Sequence, residues 1–149
     1  MHRLSAYFVA LSLLFASAAW AEKSIPPLPA NAKVERTSTT TSIFFKDGSS
    51  FYQGPTDTNV EGPKAIRWFL STLRVNEPLF EVFDPKDVKS FKGDPVGGKM
   101  TFTDGSMITV GAVDSSITGG MAGHYNNLMN KKYEELKAQG KLHDPDESD

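Results

Sequence analysis

The strongest constraint on this chain is a pentapeptide pattern that occurs twice. Phe45-Lys46-Asp47-Gly48-Ser49 returns as Phe102-Thr103-Asp104-Gly105-Ser106, with Ile43 aligned on Met100 and Phe51 on Ile108. An Asp-Gly pair between alternating apolar runs marks a β-hairpin, closed by a two-residue type I′ turn or by a three-residue turn with a left-handed glycine. The apolar pattern decides between the two. A two-residue turn in Lys99–Val110 would put Ile108 and Val110 on the face opposite Met100 and Phe102, whereas a three-residue turn over Thr103-Asp104-Gly105 puts all four on one face. The same choice gathers Ile43, Phe45 and Phe51 in the earlier hairpin. Because a one-residue slip moves a strand's apolar set into water, the three-residue register is expected in both.

Around these hairpins the sequence suggests a small α+β domain. Val34 to Phe45 is dense in β-branched residues and reads as one strand running into the first hairpin. Gln53 to Gly62 reads as a turn-rich connection, and Pro63 then opens a helix to Val75 with Ile66, Phe69, Leu70 and Leu73 on one stripe. Lys64, Arg67, Ser71 and Arg74 form its solvated side, with Trp68 half-buried at the border. Leu79–Phe83 is a short strand candidate, and Asp84-Pro85-Lys86-Asp87 reads as a cap followed by one helical turn through Val88 and Phe91. Lys92 to Gly98 reads as a loop; Ala112 and Val113 prolong the following strand or leave it. A second amphipathic helix runs from about Met121 to Gln139, stopped by Gly140. The expected architecture is an antiparallel sheet built from the two Asp-Gly hairpins plus the short strand, with two amphipathic helices. The alternative is a small closed β-barrel with helical insertions.

The start of the chain bears on where the protein works. Arg3, the apolar run Leu4–Phe15 and the pattern Ala19-Trp20-Ala21 have the form of a secretory signal peptide, and the run is too short to span a bilayer. Residues 1–21 are read as that signal, 22–33 as a Pro-rich flexible leader, 34–140 as a single α+β domain, and 141–149 as an acidic disordered tail. Cleavage leaves 128 residues with 15 basic and 18 acidic side chains, a formal net charge of −3. The reading is an exported protein, periplasmic or secreted by a bacterium, with no membrane span after cleavage.

Cysteine is absent, which removes thiol catalysis, thiolate metal sites and structural disulfides. The nearly neutral body argues against nucleic-acid binding. His2 leaves with the signal and His143 lies in the tail, so His124 is the one usable imidazole; it has no H-x-x-x-H partner, and no metal or cofactor is expected. A hydrolase would need His124 with Ser115, Ser116 or Thr118 and an orienting Asp114, or a carboxylate pair drawn from Glu61, Glu77, Glu81, Asp84, Asp87 and Asp94. No G-x-S-x-G or S-x-x-K motif supports the first. Thr118-Gly119-Gly120 before a helix offers backbone N–H groups to an anion, without P-loop or dinucleotide spacing, or else is a plain hinge.

The functional reading is therefore a non-catalytic binding module contacting another protein, of unassigned oligomeric state. Its alternatives are the hydrolase above and an inhibitor of a secreted enzyme. The candidate contact residues are Phe44, Tyr52 and Trp68. In the three-residue register Phe44 and Tyr52 leave the first hairpin on the face opposite Ile43, Phe45 and Phe51, flanked by Ser42 and Ser50. Either a further layer covers that face and makes Phe44 core, or the two aromatics form a contact patch. For export the expectation is a chain beginning at Glu22. An intact mass of exported protein that retains residues 1–21 would contradict it.

Overall fold

A computed structural model describes residues 27–76, 78–111 and 115–141. Residues 1–26, which hold the expected signal peptide and the first residues of the expected leader, together with Glu77, Ala112, Val113, Asp114 and residues 142–149, including His143, lie outside the described residues. Eight strands form one antiparallel sheet in chain order: β1 Lys33–Arg36, β2 Thr41–Phe44, β3 Ser50–Gln53, β4 Thr58–Glu61, β5 Val88–Asp94, β6 Gly97–Phe102, β7 Met107–Val110 and β8 Ser115–Thr118. Helix α1, Pro63–Asn76, follows β4, and helix α2, Gly120–Ala138, follows β8. β1 and β8 are the two ends of the sheet, so it is open and the closed barrel is not formed.

The turns carrying Asp-Gly connect β2 to β3 and β6 to β7. Pairing of Phe44 with Ser50 and of Thr101 with Met107, with Phe45 and Phe102 each donating to the carbonyl of the serine four residues on, leaves three residues across each turn. Gly48 and Gly105 take φ of 89° and 87°, the left-handed conformation that such a turn requires. Cross-strand register then assembles an inward row: Ile43, Phe51, Val60, Phe91, Met100 and Ile108, all buried.

Several expected elements differ. The β-branched run is divided into two strands by a turn in which Thr37 Oγ1 accepts from Thr39 N and Thr40 N at 3.2 and 3.0 Å. Gln53–Gly62 contains β4, whose Val60 is fully buried. Leu79–Phe83 is not a strand: Pro78–Val82 is a 3-10 helix that buries Leu79 and Phe80. Asp84 does cap a short 3-10 turn, Pro85–Asp87, but Val88 and Phe91 belong to β5. Lys92–Gly98 is a tight hairpin rather than a loop, since Asp94 Oδ1 accepts from Val96 N and Gly97 N and holds Pro95-Val96 as the turn. Arg74 is not on a free solvated side; its guanidinium donates to Phe83 O at 2.5 Å and ties α1 to the connection. Leu28 and Ala32, before β1, pack against the core.

The two halves repeat with a constant offset of 57 positions: β3 onto β7, β4 onto β8, the start of α1 onto the start of α2, and the Thr37 turn onto the Asp94 turn. Within each half the hairpin turn caps the later helix. Asp47 Oδ2 accepts from Lys64 N at 3.1 Å and Ser49 Oγ from Ala65 N at 3.0 Å; Asp104 and Ser106 do the same for Met121 N and Ala122 N at 3.0 and 2.9 Å. Gly62 and Gly119 make this approach feasible, because a Cβ on either would stand 2.2 or 2.3 Å from the serine Cβ, and their φ values are 97° and 98°. The first N–H groups of both helices are thus satisfied by residues from a turn, not by the residue before the helix.

Between sheet and helices lies an aromatic core. Phe69 stacks near Phe91 at 5.2 Å, while Phe102 and Tyr125 lie almost parallel at 5.2 Å and Phe83 joins both. Tyr125 donates its hydroxyl to Asp87 Oδ2 at 2.6 Å, and burial with that bond pushes its pKa up to about 12.

Two measurements check this account. Phe102 is fully buried whereas Met107 is on the other face, so Phe102→Ala is expected to destabilise by ~3–5 kcal/mol and Met107→Ala by well under half of that; equal losses would refute the register. Hydrogen bonds from Ser49 and Ser106, reinforced by the helix N–H groups, hold the Asp47 and Asp104 carboxyls below their usual 3.8. Their folded pKa values being depressed, the stabilisation is complete above roughly pH 4 and is lost as pH falls through the depressed values. The Asp47→Asn, Asp104→Asn double variant should therefore flatten the acid limb of a stability curve, and an unchanged limb would count against the clamps.

Candidate functional site

Alternation along each strand gives the sheet two faces, and both helices pack on the inward one. The outward face is built from two cross-strand rows. One passes through Phe44, Ser50, Glu61, Ser90, Thr101, Met107 and Thr118; the other through Ser42, Tyr52, Asn59, Lys92, Lys99, Thr109 and Ser116. Among the described residues no element lies over these rows, and Phe44 remains 44% exposed. A further layer that would have made Phe44 core is therefore not found there.

Phe44 and Tyr52 do share this face, but as diagonal neighbours: Phe44 faces Ser50 and Tyr52 faces Ser42. Tyr52 is half-buried and leans over the turn after β3, where a Cβ on Gly54 would meet its hydroxyl at 2.5 Å. Trp68 is elsewhere. It is 7% exposed, buried rather than half-buried, and packs edge-on to Phe51 at 5.2 Å and against Phe45 at 6.2 Å on the inward side. The α1 stripe is wide enough to take it because Phe45 and Phe51 present a broad aromatic floor.

The middle of the second row holds residues that the sequence reading assigned to a loop. Lys92 on β5 is directly opposite Lys99 on β6, with Asn59 and Thr109 on either side. These four line a recess of about 620 Å³ together with Asp57 and Asp94, and it continues over Gly93, Gly97 and Gly98. Gly97 is required here, since a Cβ would stand 2.0 Å from Val110 O on the neighbouring strand. The Asn59 Oδ1 atom is buried and has no hydrogen-bond partner. A sequence signal existed in the alternation of Phe91 and Gly93 with Gly98, Met100 and Phe102 about Pro95-Val96, masked by the glycine and proline content that also marks loops. A second recess of about 420 Å³, between the start of α1 and the Pro85–Asp87 turn, is lined by Glu61, Arg67, Lys86, Lys89 and Thr103 among others.

Among the described residues the catalytic candidates are not brought together; Asp114 and Glu77 lie outside them. His124 is exposed on α2 with its ring edge-on to Tyr125, and among the described residues no hydrogen bond joins it to a hydroxyl or carboxylate. The acids have separate employment: Asp84 caps the 3-10 turn, Asp87 accepts from Tyr125, Asp94 closes its hairpin and Glu81 meets Lys132 at 3.5 Å. The N–H groups after Thr118-Gly119-Gly120 are occupied by Asp104 and Ser106, which removes the anion loop. Among the described residues no three His, Cys, Asp or Glu side chains gather as metal ligands, and no helix is long and apolar enough to cross a membrane. No family model matches the chain, and no curated protein or solved structure matches it.

Proposed function

We propose that this protein is an exported binding module, working in the periplasm or outside the cell, that docks another protein onto the outward face of its sheet. The observation that carries this reading is the uncovered face itself. Among the described residues the eight strands are packed on one side only, and the other side presents hydroxyl, amide, carboxylate and lysine side chains with a part-exposed phenylalanine beside a tyrosine. Phe44, 44% exposed, and the half-buried Tyr52 are rimmed by the Ser42 and Ser50 hydroxyls, a composition that matches protein contact surfaces.

The test is the double change Phe44→Ala with Tyr52→Ala. Neither residue is in the buried core, so the thermal midpoint is expected to stay within a few degrees while capture of the partner from an envelope extract is lost. Retained capture, or a loss of several kcal/mol of stability as for a core aromatic, would overturn the proposal.

A further inference from the structure

We infer that the recess of about 420 Å³ between the start of α1 and the Pro85–Asp87 turn is a binding site for a small organic anion, a molecule with an apolar body and a carboxylate or sulfonate head. The site goes beyond the docking reading above and does not depend on it. Its charge is one-sided, for Arg67, Lys86 and Lys89 line it against a single carboxylate, Glu61. Among the described residues none of these cations is in an ion pair, the pairs being Lys33 with Glu35 and Lys132 with Glu81. The acids nearest Lys86 in sequence are engaged elsewhere, Asp84 as the cap of the 3-10 turn and Asp87 as acceptor of the Tyr125 hydroxyl. Like charges around one concavity focus their field into it and attract an anion.

The repeat shows that the fold does not require this charge. At an offset of 57 positions Arg67 corresponds to His124, Lys86 to Pro29 and Lys89 to Ala32. Lys89 occupies its place because β5 is bulged: Val88 pairs with Phe102 and Ser90 with Thr101, which leaves Lys89 as the extra residue, and bulges re-aim side chains beside functional sites. The walls are held by backbone hydrogen bonds, Gly62 N donating to Lys89 O at 3.4 Å and Thr103 N to Asp87 O at 2.9 Å, so the recess is formed before anything enters it. Pro63, Pro85 and Val88 supply an apolar wall, since a proline has no N–H to offer, while the Ser90 and Thr103 hydroxyls donate beside the cations. A molecule with both an apolar and an anionic part uses both; an inorganic anion leaves the wall unused, and a neutral apolar molecule leaves the cations unused. The volume also falls within that of small-molecule sites, on the order of 300–1,000 Å³.

The experiment titrates the exported protein with anilinonaphthalene sulfonate, read by fluorescence, beside phenylnaphthylamine, the same ring system without the sulfonate. The expected result is one bound sulfonate probe per chain, weakened by salt, held roughly tenfold more tightly than the uncharged probe and weakened roughly tenfold in the Arg67→Gln, Lys89→Gln variant. Binding is expected to be unchanged in Lys131→Gln, an exposed lysine of α2, and in the Phe44→Ala, Tyr52→Ala variant. Arg67 and Lys89 are both exposed, so the thermal midpoint of the paired variant should hold; if it falls, Lys86→Glu on the exposed turn carries the same comparison. No binding by the unaltered protein, equal affinity for the uncharged probe, equal binding by the cation variants, or displacement of the probe by millimolar sulfate would each overturn the inference. Loss of binding in the Phe44→Ala, Tyr52→Ala variant would overturn it too, by placing the probe on the outward face, and would leave the docking reading standing.

Discussion

Everything in this fold depends on two hydrogen-bonded clamps in which an aspartate and a serine from a hairpin turn take the first free N–H groups of a helix 17 or 16 residues later. Helix starts are costly to bury because those donors have no partner within the helix, and a negative side chain there also meets the positive end of the helix dipole. By supplying the cap from the sheet, the chain fixes where each helix begins and over which strands it lies. The apolar stripes of α1 and α2 are thereby delivered onto the inward row. The glycines at 62 and 119 are part of the same device, for only a residue without Cβ lets the helix entry approach the serine so closely.

Because the device is used twice with a constant offset, the protein consists of two similar four-strand and helix units whose sheets are continuous through the pairing of β4 with β5. The second unit departs from the first along its helix. Phe69 of α1 packs on Phe91 of the next unit, whereas the position 57 residues later is Asn126, and Leu73 is likewise replaced by Asn130. The Oδ1 atoms of Asn126 and Asn130 are buried without a hydrogen-bond partner, so the second unit carries polar groups at positions where the first has packed apolar side chains.

Placing both helices on one side of an open meander leaves the other side uncovered among the described residues. Such a face is not required for packing, so its residues are released from the apolar pattern and able to specialise. That freedom accounts for the hydroxyl-rich rows, for the tolerance of two adjacent lysines, and for an exposed Phe44 on a strand whose neighbour Ile43 is buried. Rigid strands hold these groups at fixed spacings of about 4.8 Å between neighbours.

What the sequence by itself determined was local. The Asp-Gly turns, the alternation that sets their register, the Pro63 helix start and the Gly140 stop all follow from backbone sterics and from apolar periodicities contained within a dozen residues. The shared face of Phe44 and Tyr52 follows from that alternation too. Only the tertiary structure decided the rest, because it depends on groups far apart in the chain. The 3-10 path of Pro78–Val82 is set by burial of Leu79 and Phe80, not by strand propensity, and β4 and β5 are strands because each completes the other's ladder. Trp68 is core because Phe45 and Phe51 meet it, and Lys92 meets Lys99 because a Gly- and Pro-rich stretch that resembles a loop is held between two well-packed strands. Side-chain type sets what a residue is able to do, but neighbours contributed by the other strands and helices set what it does.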